Sequence, residues 1–129
     1  MSKESISKIY LILEKIDYIE QIVKSNGNIT NALMDSVSSR PAILMHLTAI
    51  AEQFNKLKQE NAIKILSVFD DSDLKGMYDV RTYIAHDYEG VNLAIVEWII
   101  RNGIPKFKKQ CQMAIDNLLN NNTSQHHPF

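Results

Sequence analysis

The sequence predicts an all-α protein, an up-and-down bundle of four long helices plus a short one. Apolar residues recur at intervals of three and four through almost all of its 129 residues, which is the periodicity of amphipathic helices. Four Gly and three Pro are too few for an all-β fold, which needs a turn every ~8–12 residues. We therefore expect one helical domain over residues 1–119 and a flexible C-terminal tail over 120–129, where the periodicity ends.

The first helix is predicted over residues 4–24, where six apolar residues form one stripe. They are Ile6, Ile9, Leu13, Ile16, Ile19 and Val23. The Asn-Gly-Asn sequence beginning at Asn26 ends this helix, because Asn and Gly readily adopt left-handed backbone geometry. Residues 29–40 are ambiguous and predict a short helical turn followed by a loop.

A second long helix is predicted over residues 41–58. Ser39 followed by Pro41 is typical of a helix start, since Pro is tolerated in the first turn. The apolar pattern then breaks near Asn61. We expect this helix to place Leu47 and Phe54 in the core.

Three further helices account for the rest of the chain. The acidic run ending at Asp73 caps the third long helix, which stops near Gly90. Asn92 caps a short helix, and Pro105 opens the last long one. The residues expected in the core across the whole bundle are Ile9, Leu13, Leu47, Phe54, Ile84, Ile99 and Phe107.

Arg81 is the residue that fits least well into this pattern. It lies about 40° from Met77 on a helical wheel, inside the apolar arc of the third long helix, and Tyr88 lies about 20° from Met77. A guanidinium buried without a partner costs several kcal/mol. Arg81 must therefore line a wet cleft, or pack its stem while its head reaches water or a carboxylate such as Glu52.

His86 is the second candidate, because histidine is the side chain whose ordinary pKa suits proton transfer near neutral pH. It lies about 140° around an ideal helix from Arg81, so the two do not share a face. They converge only if the helix distorts near its end or if a second copy of the chain contributes its own pair. The alternative is that His86 is a helix cap or an ordinary surface residue.

Other polar clusters have simpler alternatives. Asp70, Asp71 and Asp73 could hold a hard cation, but they also serve as a helix cap. The basic cluster of Lys106, Lys108 and Lys109 could contact phosphate or form a solvated face. No cofactor motif and no set of metal ligands is evident, and His46, His126 and His127 lack partners at metal-ligand spacing.

Charge and hydropathy exclude some function classes. The net charge of −1 gives no bulk electrostatic footprint for nucleic acid, although a small cleft can be locally basic. No apolar run approaches the ~20 residues that span a bilayer. The single Cys rules out an internal disulfide and, with the absence of a signal peptide, predicts a cytoplasmic protein.

The segment from Arg81 to Tyr88 reads Arg-x4-His-x-Tyr at the end of a helix, and this pattern resembles the HEPN superfamily, specifically its HepT-like toxin branch. The stretch Ala49–Leu57 resembles the second-helix pattern of that family, with Glu52 at its acidic position. Trp98-Ile-Ile and the later Ile-Pro followed by a Lys-rich helix resemble its C-terminal part. The resemblance covers roughly residues 5–118. Thr82 stands where the family often has Asn, and Ala51 where it commonly has Gly.

The resemblance implies a toxin of a type VII toxin-antitoxin system, a metal-independent endoribonuclease that cleaves RNA in the cleft of a homodimer. His86 would act as general acid or base, Arg81 would stabilise the transition state, and Glu52 would support the site. The implied partner is a minimal nucleotidyltransferase antitoxin that attaches AMP to Tyr88. Alternatives are a non-catalytic HEPN-type dimer that binds nucleotide or protein, and a plain structural bundle in which Arg81 and His86 are caps. The alternative for Tyr88 is an amphipathic residue at a dimer rim.

Overall fold

The computed structural model describes residues 3–86 and 89–125, and helices dominate both stretches. The long helices are α1 (Lys3–Asn26), α3 (Ser39–Gln59), α5 (Asp71–His86) and α7 (Ile104–Gln125). The short helices are α2 (Ile29–Met34), α4 (Ile63–Leu66) and α6 (Leu93–Trp98), and a π-helical segment, Ile99–Gly103, joins α6 to α7. These two stretches contain no β-strand, so the predicted all-α bundle with four long helices is confirmed.

The core forms where the four long helices turn their apolar faces toward one another. Helix α3 packs against both α1 and α5, and α7 packs against α1. Of the seven residues expected in the core, Leu13 and Ile99 are half-buried and pack against it. The other five are buried, namely Ile9, Leu47, Phe54, Ile84 and Phe107.

Local hydrogen bonds explain where the helices begin. Asn92 caps α6 as predicted, because its side-chain oxygen accepts from the backbone N–H groups of Ala94 at 2.9 Å and Ile95 at 3.4 Å. The predicted break after α3 is also present: Asn61 has a φ of 55°, a left-handed conformation that ends the helix.

Helix α3 begins at Ser39, two residues before the predicted start at residue 41, and its capping group is not the predicted serine. The carboxylate of Asp35 accepts backbone N–H groups from Val37, Ser38 and Ser39 at 3.2, 3.3 and 3.0 Å. It also accepts the hydroxyl of Ser38 at 2.7 Å. These donors hold the pKa of Asp35 well below its usual range. A carboxylate four residues upstream therefore supplies the cap that the sequence analysis assigned to a serine.

Helix α7 continues to Gln125, past the residue where the tail is predicted to begin. Residues 126–129 lie outside the described part of the chain, and the flexibility of the tail stays a prediction. None of the described helices is long and apolar enough to cross a membrane.

Candidate functional site

Arg81 lies on α5 and reaches across to the outer face of α3. Its Nε is 3.3 Å from Oε1 of Glu52, and the two side chains are 58% and 42% exposed. Of the alternatives for Arg81, the structure shows the one in which the guanidinium reaches solvent and pairs with Glu52. The contact through Nε orients the guanidinium, and the remaining N–H donors of that group can bind a phosphate oxyanion.

The apolar arc of α5 is narrower than the helical wheel predicts. Leu74, Met77, Val80 and Ile84 are buried as expected. Arg81 and Ala85, one turn later, are exposed. The reason is that this flank of α5 meets the side chain of Glu52 on α3, which is itself 42% exposed, so no apolar layer covers the guanidinium.

His86 is the last residue of α5, and its side chain is exposed. The segment Asp71–His86 is α-helical throughout. A distortion of the helix before His86 therefore does not bring it onto the face of Arg81, and within one protomer the two side chains keep their separate directions. Tyr88, the third residue of the predicted motif, lies outside the described residues.

The acidic and basic clusters pair with each other. Nζ of Lys106 lies 2.7 Å from Oδ2 of Asp70 and 2.6 Å from Oδ2 of Asp73. Hydrogen bonds to these two carboxylates raise the pKa of Lys106 to about 12, and the bond from Lys106 lowers the pKa of Asp70. Lys108 pairs with Glu20 at 2.9 Å. Two of the three predicted lysines are thus held by carboxylates, and over the described residues no cluster of three or more His, Cys, Asp or Glu could hold a metal ion.

A family model for HepT-like ribonucleases matches residues 12–114, most of the chain, including the segments of Glu52, Arg81 and His86. The chain belongs to the HepT-like ribonuclease family. It matches no curated protein and no solved structure. Membership of this family implies RNA as the substrate class, and the all-α fold agrees with the family.

The HepT-like bundle also carries a groove that the sequence analysis missed. A cavity of about 670 Å³ runs along the flank of α5 away from Arg81. Gly76, Val80 and Tyr83 form its α5 wall. Trp98 and Ile95 line the opposite wall from α6 and are 63% and 45% exposed.

A sequence signal for this groove existed in the short helix. Seven of the eight residues from 93 to 100 are apolar, more than one face of a helix can bury. Such a helix either lies wholly inside the core or leaves apolar side chains outside. The structure shows the second outcome at Ile95 and Trp98.

Proposed function

We propose that this HepT-like protein is a cytoplasmic toxin of a type VII toxin-antitoxin system, a metal-independent endoribonuclease whose active cleft is shared by two copies of the chain. The observation that carries the proposal is the exposed pair of a guanidinium and an imidazole on the last turns of α5, inside a segment matched by a ribonuclease family. Arg81 supplies positive charge and His86 supplies proton transfer.

The chemistry is attack of an RNA 2′-hydroxyl on the adjacent phosphate. The new bond joins the 2′-oxygen to phosphorus, the bond from phosphorus to the 5′-oxygen breaks, and a 2′,3′-cyclic phosphate and a 5′-hydroxyl result. One His86 removes the proton from the 2′-hydroxyl, and a protonated His86 returns a proton to the leaving oxygen. Arg81 stabilises the additional negative charge on the five-coordinate phosphorus, where a charge-assisted bidentate contact is strongest.

Glu52 positions Arg81 in this mechanism. Its carboxylate contacts Nε, so the guanidinium is held over the outer face of α3 before RNA arrives. An exposed ion pair is worth little in water, so incoming phosphate can share or replace this contact at low cost.

Arg81 and His86 of one copy point in different directions, and a second copy of the chain would bring the two side chains together. A twofold contact around α5 can place Arg81 of one copy beside His86 of the other. The groove gives this contact an apolar component, because Trp98 and Ile95 stand exposed on its rim. Tyr83, which lines the groove, is three residues from His86 and therefore lies near it on the same side of α5.

Dimerisation is testable by sedimentation at micromolar concentration. We expect a stable dimer that buries more than roughly 1,000 Å² in total. Trp98→Asp should shift the protein toward monomer because it places a charge in the apolar contact. Ile63→Asp, at a side chain 73% exposed on α4, is the matched control and should leave the dimer intact. A wild-type monomer would contradict the shared cleft.

The catalytic test is cleavage of single-stranded RNA with and without EDTA. His86→Ala should reduce the rate by about 10²–10⁴ and Arg81→Ala by about 10²–10³. Arg101→Ala is the matched control, since Arg101 is 58% exposed like Arg81 and also pairs with a glutamate, Glu97. Cleavage that required Mg²⁺, or that survived His86→Ala, would refute the mechanism.

Regulation by the antitoxin would act at Tyr88. In this proposal, a minimal nucleotidyltransferase joins the tyrosyl oxygen to the α-phosphate of ATP, and pyrophosphate leaves. One or more AMP groups would add negative charge and bulk near Arg81 and exclude the RNA backbone. Intact-mass spectrometry after co-expression should show increases in AMP steps that disappear in Tyr88→Phe. An unchanged mass, or steps that persist in that variant, would refute modification at Tyr88.

A further inference from the structure

An uncharged cavity lies between α1 and the N-terminal half of α3. Its volume is about 440 Å³, and it is separate from both the Arg81–Glu52 pair and the groove. The lining residues are Tyr18, Gln21, Ile22, Ser25, Asn26, Ser39 and His46. The rings of Tyr18 and His46 form one wall, with centroids 5.2 Å apart and planes inclined by 40°.

This wall has the chemistry of a platform for a nucleobase. Tyr18 is 37% exposed, so part of its ring is open to a planar ligand. Burial, together with the charge of Lys15, lowers the pKa of His46, which keeps its ring uncharged at neutral pH. Gln21 and Ser25 add an amide and a hydroxyl, the groups that hydrogen-bond base edges.

A positive charge lies over the ring of Tyr18. Nζ of Lys15 lies 5.3 Å from the centroid of the Tyr18 ring and 3.8 Å from the carboxylate of Glu14. Glu14 also interacts with the hydroxyl of Tyr18 and raises its pKa, so that hydroxyl stays protonated. Asp17 also faces Tyr18 and accepts a hydrogen bond from the amide of Gln21 at 2.6 Å, so two carboxylates and one ammonium surround the platform, which suits a base better than a phosphate.

The cavity and the Arg81 site occupy neighbouring positions on the bundle. Glu52 faces Arg81, and Lys58 lies over the ring of Tyr78, so α3 and α5 run antiparallel. The N-terminal half of α3 therefore lies beside the end of α5 that carries His86. His46 is six residues from Glu52, a rise of about 9 Å, and a helix with side chains is about 10–12 Å wide. An extended strand of a few nucleotides can cross the outer face of α3 from one site to the other.

We propose that the Tyr18–His46 cavity is a base-stacking subsite for single-stranded RNA, which holds one nucleotide of the substrate away from the scissile phosphate. This inference rests on the proposed ribonuclease function. The phosphate bound at Arg81 and the base stacked on Tyr18 would fix the strand at two points. The ring takes any base, because every base has a π-face, so the subsite adds affinity with little sequence preference.

The test measures binding of a short labelled single-stranded RNA to the His86→Ala protein, which holds RNA without cutting it. Adding Tyr18→Ala should weaken binding by about 5- to 150-fold, the usual effect of removing one aromatic platform. Tyr18→Phe keeps the ring and should bind within about twofold of the parent. Tyr10→Ala is the matched control on α1, at a tyrosine 53% exposed outside the cavity, and should leave binding unchanged.

The dependence of binding on salt separates stacking from a change in charge or fold. Loss of a stacked base should leave the slope of log Kd against log salt unchanged, whereas loss of a phosphate contact lowers it. If Tyr18→Ala unfolds the protein, His46→Leu replaces it as the variant that removes the second ring. Equal affinity in Tyr18→Ala and Tyr10→Ala would overturn the subsite.

Cleavage by the wild-type protein distinguishes the two possible failures. If the wild-type protein cleaves RNA and Tyr18→Ala cleaves it with the same KM, the subsite is refuted and the ribonuclease proposal stands. A wild-type protein that neither binds nor cuts RNA would remove the ribonuclease proposal, and the subsite with it. A raised KM with an unchanged kcat in Tyr18→Ala is the result we expect.

Discussion

Phe54 is the side chain whose loss should destabilise the bundle most clearly. It is fully buried in α3. The centroid of its ring lies 5.2 Å from that of Phe69 and 5.3 Å from that of Phe107. Phe69 lies two residues before the start of α5, and Phe107 belongs to the first turn of α7. The three rings therefore join the helix that carries Glu52 to the start of the helix that carries Arg81.

The expected effect of Phe54→Ala follows from this packing. Replacing a buried Phe by Ala costs about 3–5 kcal/mol, because apolar contact is lost and a cavity remains. Two aromatic contacts, each worth about 0.5–1.5 kcal/mol beyond burial, place this site toward the upper end of that range. For 129 residues, an unfolding entropy of ~2.1 cal/mol/K per residue converts a loss of about 4 kcal/mol into a fall in Tm of about 15 °C.

Thermal unfolding followed by far-UV circular dichroism measures this shift. Met45→Ala is the matched control, because Met45 lies on the same helix and is 66% exposed. Its effect should stay within about 0.5 kcal/mol, or about 2 °C. If Phe54→Ala and Met45→Ala lowered Tm equally, the three-ring cluster would not hold the bundle together in the way that the packing indicates.

Three further predictions concern single groups. Burial raises the pKa of the Cys111 thiol to about 12, so Ellman's reagent should not react with the native protein at pH 8 and should react in urea; rapid native reaction would contradict this. The lowered pKa of Asp35 means that this carboxylate stabilises the fold fully above pH 3.8, the usual pKa of an Asp, and that the stabilisation is lost as the pH falls below this value. The difference in Tm between wild type and Asp35→Ala should therefore shrink in acid. Asn92→Ala should speed hydrogen exchange at the amides of Ala94 and Ile95, and unchanged exchange would show that the cap is dispensable.

Apolar periodicity was sufficient to predict the long helices, because the residues that repeat at helical spacing are those that the core buries. Ile9, Leu47 and Phe54 are buried as their positions in the pattern require. The residues at which the helices begin and end were harder to predict, since they depend on individual hydrogen bonds. Asp35 caps α3 from a loop position, and nothing in the periodicity selects it over Ser39.

The candidate site could be predicted only in part for a different reason. A helical wheel assumes that neighbouring helices cover the whole apolar arc of a helix, but the edge of the α5 arc that carries Arg81 meets the exposed carboxylate of Glu52 on α3. Arg81 therefore stands in solvent with Glu52, one of the alternatives that the sequence left open. The groove beside Trp98 depends on the spacing between α5 and α6, which no pattern within one helix can give.

The two flanks of α5 differ in a way that agrees with the proposed site built from two copies of the chain. On one flank, Arg81 is held by an exposed carboxylate that phosphate can displace at low cost, because water already screens the pair. On the other flank, the groove leaves Trp98 uncovered next to the turn that ends in His86. A second copy of the chain that covers the groove would remove water from around His86. In the proposed cleft, Arg81 of one copy would lie beside His86 of the other, and the removal of water there would strengthen the electrostatic stabilisation of the transition state.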